Sequence, residues 1–329
     1  MMLSTDIFEI ALILMSIVLI CNTLVWKIAI ARKKCLLKQL ESLNANTALK
    51  ILVDNIQQHR GMLNATLSGD DSFAVKITQT QKVINTTLRT LNQSLESSVL
   101  NTKREHLNKI QQSWEKLYPN ALSLSKEKSL QKHVAIIKST LFLMTNIAEE
   151  NQLVKNNCYP VELVDIIWHR IPNTAEALGK TRAAGSGIAA TGICGAIERI
   201  KVGFLIKHIY DTTAIVEEGL NKLQHDASSD NNKLLSTYKL IQSDIHGLLD
   251  TMKHKLLESA TPQITASLFF EQATVTLNQV YDFFDQGEGM INQKIMTAIA
   301  GTESTIKRSW SIFIFSALTI VISTALIIP

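Results

Sequence analysis

Proline is scarce in this chain, at 5 in 329 residues, and the 13 glycines are nearly as sparing. Most of them fall where a helix would end, so long helical runs go uninterrupted. Net charge is only +4 and is dispersed. No basic run carries interleaved aromatics, so a nucleic-acid partner is not expected. The 4 cysteines, Cys21, Cys35, Cys158 and Cys194, show no CxxC or Cys/His spacing. They read as isolated thiols, which argues against a disulfide framework or a zinc site. No Ser/His/Asp, Cys/His or paired-carboxylate constellation is present, and no phosphate loop. An enzyme is therefore not expected, nor a metal or cofactor. No alternating apolar pattern of useful length argues for strands.

What the chain does have is apolar content, at 46%, concentrated at both termini. The first run lies in residues 7–31, with a clean core from Ile10 to Trp26. That is near the lower limit for crossing a bilayer. The preceding MMLSTD lacks a basic residue, which fits a signal peptide badly. The second run, 311–328, carries no charge. Trp26 and Trp310 sit at the inner edges, as interfacial aromatics do. Lys27, Arg32, Lys33, Lys34 and Lys38 follow the first run, and Lys307 and Arg308 precede the second. The positive-inside rule then puts the intervening residues in the cytoplasm of a two-span membrane protein.

Between the runs the pattern is helical throughout. Expected helices cover 33–68, 72–117, 126–152, a segment from Val161 interrupted at Pro172, 197–224, 233–258 and 263–308. Gly69-Asp70-Asp71 is the first turn, with Asp71 or Ser72 as the next cap. Antiparallel helices with short connections imply bundles. The expected architecture is all-α: a first bundle over 33–158 and a second over 159–308, flanked by transmembrane helices at 7–31 and 311–328.

One position in the first helix breaks its own rule. Leu52, Ile56, Leu63 and Leu67 form the apolar stripe, and the place the stripe skips is Arg60. Its helix neighbours Ile56, Gln57, Leu63 and Asn64 include no acid. Arginine cannot shed its proton to escape burial, so it needs an anion from another helix or from a ligand. Gly61 beside it permits a close approach. The same arrangement recurs in the small-residue stretch LGKTRAAGSGIAATGICGA. Ile171, Ala175 and Leu178 lead in register to Arg182, whose neighbours Leu178, Gly179, Gly185 and Ser186 again include no acid. Planar guanidinium forks suit a planar oxyanion such as nitrate, nitrite or a carboxylate. Asn64 and Ser186 are candidate extra donors. Set beside this is the structural alternative, in which each arginine pairs with an interhelical acid such as Glu149, Glu150, Asp165 or Glu198. Likewise His59 is expected to be a hydrogen-bonded core residue, and Phe269-Phe270 and Phe283-Phe284 to be core.

The stretch LVDNIQQHRGMLNATLSGD resembles the Q-x-x-R-G-x-S motif that opens the nitrate- and nitrite-sensing (NIT) domain family. IIWHRIPNTAEALGKTRAAGSGIAA resembles a second block in helical sensor regions of bacterial receptors, and SLFFEQATVTLNQVYDFFDQG is similar to the block before their second membrane span. The resemblance implies an all-helical sensor in a bacterial inner membrane that binds a small anion through Arg60 and, by position, Arg182, with Gly61, Asn64 and Ser186 around them. It also implies a periplasmic sensor, against the flanking charges. Met62-Leu63 departs from the small or serine residues usual after Arg-Gly. No output module follows the second run, so a signal is expected to leave through the membrane helices, a homodimer or a separate partner protein. The competing expectation is an adaptor bundle with no small-molecule ligand.

Overall fold

The computed structural model describes residues 2–96, 100–150, 159–223 and 229–327; Cys158 lies outside these. Among the described residues the chain is helical with no strand. Helix α1 (Met2–Thr66) runs unbroken for 65 residues, and α9 (Ala266–Ile327) for 62. Both are long and apolar enough to cross a membrane. The helix expected over 263–308 and the apolar run expected at 311–328 form one continuous helix, α9.

One compact unit combines residues 1–40 with 293–329. Within it Asn22 Nδ2 donates to the Ser309 carbonyl at 3.0 Å. Trp26 meets Trp310 edge-on at 6.1 Å, and Lys33 pairs with Glu303 at 2.6 Å. Most other apolar side chains here face outward: Ile13, Leu14, Ile17, Ile314, Phe315 and Leu318 are all exposed. Exposed apolar surface on this scale is what a lipid environment would cover.

The second unit is Glu41–Asn292. It contains α2 (Ala74–Glu96), α3 (Arg104–Leu117), α4 (Lys126–Glu150), α5 (Val161–Asp165), α6 (Ile171–Thr191), α7 (Ala196–Leu223) and α8 (Ser229–Met252). The single helix expected over 72–117 is two. A short 3-10 turn at Asn101–Lys103 reverses the chain. Helix α3 then runs back along α2, with Trp114 donating to Asn85 and Asn92 bonded to Gln111. The first turn also differs by one residue: Asp70 is the cap, accepting from the Ser72 amide at 3.0 Å.

Pro172 does not break its helix. Ile166–Arg170 forms a π turn, and the Ile171 N–H reaches Ile166 O five residues back. The wider turn accommodates a residue that has no N–H to donate. Gly192, at φ 71°, closes α6 in the left-handed conformation.

The 41–66 half of α1 serves both bundles. On one side His59 contacts Trp114 of α3 and His133 of α4, and Gln81 of α2 bonds to it. On the other, Arg60 reaches Glu176 of α6, and Tyr281 of α9 donates to Gln57. The second bundle closes through α7 and α8, where Tyr238 donates to Thr213 O and meets the Phe283 ring at a tilt of 56°. Helix α1 is consequently buried from Ile56 to Ala65 at every position but Gln58, which is half-buried, rather than along one stripe.

Candidate functional site

Helices α1, α6 and α9 meet around two buried arginines. Arg60 is 1% exposed and Arg182 0%, so both cations have left water. Their surroundings differ. Arg60 faces Glu176, with Nη1 to Oε1 at 2.7 Å and Nη2 to Oε2 at 3.1 Å. This is the end-on bidentate pair, and it neutralises the charge within a fixed geometry. Gln57 Nε2 donates to the same Oε2 at 2.9 Å, and Tyr281 Oη donates to Gln57 Oε1 at 2.9 Å. Lys180 stands 3.6 Å from Oε1.

Gly179 makes the pairing possible. A Cβ there would lie 2.9 Å from Arg60 Nη2 and 3.1 Å from Gln57 Cδ. None of the four acids weighed as partners fills the role: Asp165 pairs with Arg170 at 2.6 Å, and Glu150 with Lys103. Glu176 was overlooked although it is the lone acid in the run from Ile171 to Leu178. An isolated carboxylate among Ala175, Ala177 and Leu178 could have marked it.

Arg182 has no such partner. Nη1 donates to Thr274 Oγ1 at 3.0 Å, and the face of Phe270 lies 4.9 Å from Cζ. Among the described residues Nε and Nη2 have no hydrogen-bond partner. Those two N–H groups share one edge of the guanidinium. They form the side-on fork that accepts two oxygens of a planar anion. Burial pulls the Arg182 pKa down to about 10, with Asp54 opposing that shift and Arg60 adding to it. The group remains a cation at neutral pH.

Asp54 is the nearest built-in counter-charge. Gln58 donates to its Oδ2 at 3.0 Å, while Oδ1 is buried without a partner among the described residues. Burial raises the Asp54 carboxyl above its usual range, against the lowering pull of Gln58 and Arg182. Burial also pushes the Tyr281 phenol well up, with Asp54 and Glu176 adding to it. The site is thus a buried cluster in which Glu176 pairs with Arg60 directly while Arg182 has no carboxylate hydrogen-bonded to it among the described residues.

The remaining expected residues lie in the same region of α1 and α6. Gly61 adjoins Arg182: a Cβ there would sit 2.8 Å from Phe270 Cε2 and 3.5 Å from Arg182 Nε. Asn64 bonds to the Ala183 carbonyl, tying α1 to α6. Ser186 is fully buried, and its Oγ has no partner among the described residues. Asp54, Thr274 and Phe270 were not foreseen as neighbours. Phe270 and Thr274 lie four apart on α9 and Asp54 lies on α1, so their approach to Arg182 of α6 is set only by the tertiary fold.

No family model matches the chain, and no curated protein does. Among solved structures the chain is similar to that of the NasR transcription antiterminator, with a TM-score of 0.50 and 14% identity, over 87% of this chain and 75% of that one. At that identity the likeness is one of fold: an all-helical arrangement of long bundled helices.

Proposed function

We propose that the chain is a membrane-anchored sensor of a small planar oxyanion of the size of nitrate or nitrite, and that Arg182 carries the ligand. The single observation behind this is the Nε/Nη2 fork, buried and without a protein acceptor. Leaving buried donors unpaired costs about 1–3 kcal/mol each, more for charged groups, so a fork of this kind is expected where a ligand completes it. The resemblance of LVDNIQQHRGMLNATLSGD to the NIT family supports the class of ligand. The fold likeness is to a regulatory protein, a transcription antiterminator, and supports a regulatory rather than a catalytic role.

In this reading Arg60 is not the primary contact, because Glu176 already holds its terminal nitrogens. It sets the positive field and anchors α1 to α6. An oxyanion at Arg182 shifts the balance between two packings of α1, α6 and α9 by its differential affinity for them. Helices α1 and α9 carry the two apolar segments, so the signal leaves along them or through a partner protein. The charges flanking those segments favour a cytoplasmic sensor unit.

The test is calorimetric titration of the full chain in detergent with nitrate and with nitrite, using chloride as control. Binding is expected in the wild type and is lost in Arg182→Ala. Arg182→Lys weakens it sharply, because an ammonium cannot offer two coplanar donors. Absence of binding by the wild type, or equal affinity in Arg182→Ala, rejects the reading. That outcome would favour the second one, a ligand-free helical scaffold, for which the bidentate Arg60–Glu176 pair speaks.

A further inference from the structure

A fork with no exposure needs an entrance, and the same two residues that touch Arg182 also line a cleft. Thr274 accepts from Nη1 and Phe270 lies across the guanidinium. On their outer side a cleft of about 450 Å³ opens between α1, α2 and α9, with Gln58, Lys76, Gln79 and Glu271 in its polar wall. Phe270 is 8% exposed, lines the cleft and lies over the face of the Arg182 guanidinium, so its ring stands between the two. Gly61 accommodates the ring edge, since any Cβ there would meet Cε2 at 2.8 Å. Gln58 links the cleft to the charged cluster by donating to Asp54. Lys76 and Gln79 are exposed at the rim, where a cation raises the local concentration of an anion.

We propose that this cleft is the entrance to Arg182 and that Phe270 determines which ligands reach it: the ring swings aside for an ion of three or four atoms and refuses a carboxylate with an organic body. The proposal rests on the sensor reading for the nature of the ligand, but not for the route. Exposure of Arg182 depends on Phe270 whether or not nitrate binds. Rotation of a side chain is faster and less costly than movement of backbone, and the glycine opposite leaves the inner edge free of a Cβ.

The test uses the full chain in detergent micelles and phenylglyoxal, which modifies arginine side chains, with the modified residue identified by peptide mass spectrometry. Wild type, Phe270→Ala and Phe270→Leu are compared, each with and without nitrate. The leucine variant keeps an apolar side chain in the cluster with Met62, Phe73 and Ile77 but cannot span the guanidinium. If Phe270 is the cover, Arg182 modification speeds up by about tenfold or more in both variants, a change in opening free energy of at least about 1.4 kcal/mol. Arg60, closed by Glu176, keeps its wild-type rate. No acceleration at Arg182, or equal acceleration at Arg182 and Arg60, overturns the proposal, the second because it reports general loosening. Nitrate protection of the opened Arg182 supports the sensor reading as well. Opening without protection leaves the entrance standing and rejects the anion.

Discussion

At the scale of single residues, the buried pair of Arg60 and Glu176 carries the clearest expectation. Removing the acid strands Arg60 in the interior, and Glu176→Ala is expected to lower unfolding free energy by about 3–5 kcal/mol. The double variant Arg60→Met with Glu176→Leu should recover most of that, because it removes both charges together. Denaturant titration followed by tryptophan fluorescence reads both.

The histidine pair has a defined proton arrangement. His133 Nδ1 donates to Ser129 O at 2.7 Å, so its Nε2 accepts from His59 Nδ1 at 2.8 Å. His59 Nε2 then accepts from Gln81 at 3.0 Å. Both rings are neutral. Burial lowers His59 to about 3, with the His133 ring adding to it, and His133 to about 4, from an ordinary 6.5. The unfolded chain takes up protons first, so this stability is fully present above pH 6.5 and is lost as pH falls toward 4. Glu288 acts with the opposite sign. Burial raises it from 4.5 to about 7 against the Thr47 hydrogen bond, so its contribution is present at low pH and lost as pH rises through 7. Glu288→Gln should therefore stabilise the chain above pH 7 by roughly 1–3 kcal/mol. It also removes the opposing Glu288 titration from melting temperatures read against pH.

At the scale of helices, close approach is set by glycine at chosen positions. Gly179→Ala puts a methyl 2.9 Å from Arg60 Nη2 and is expected to cost about 1–3 kcal/mol through overpacking. Gly203 in α7 is exposed and has nothing within 4 Å of its missing Cβ. Gly203→Ala should instead gain about 0.4–1 kcal/mol by restricting the unfolded chain. The pair of melting curves separates packing from propensity. Much of the helical layout is legible in the sequence for the same reason: few prolines and a persistent apolar period leave little choice. What periodicity does not show is where a helix can turn without proline or glycine, as at Asn101–Lys103, or continue through Pro172 by a π turn. The two arginines stand out because local acids are missing. Their real surroundings, Glu176 for one and Thr274 with Phe270 for the other, depend on which helices are neighbours, and no local spacing encodes that.

At the scale of the whole molecule, α1 and α9 link the charged cluster to the apolar segments within continuous helices. The outward-facing apolar side chains of those segments predict that the full chain stays in the membrane pellet through alkaline carbonate washing. Release into the wash would contradict the two-span reading. The most direct test of the central claim looks at the guanidinium itself. In nitrogen-15 arginine-labelled full chain, the buried Nε–H groups of Arg60 and Arg182 are expected as slowly exchanging signals, assigned with Arg182→Lys. Nitrate should shift the Arg182 Nε–H resonance in a saturable way while leaving Arg60 nearly in place. An Arg182 signal that does not move at saturating nitrate would contradict the account.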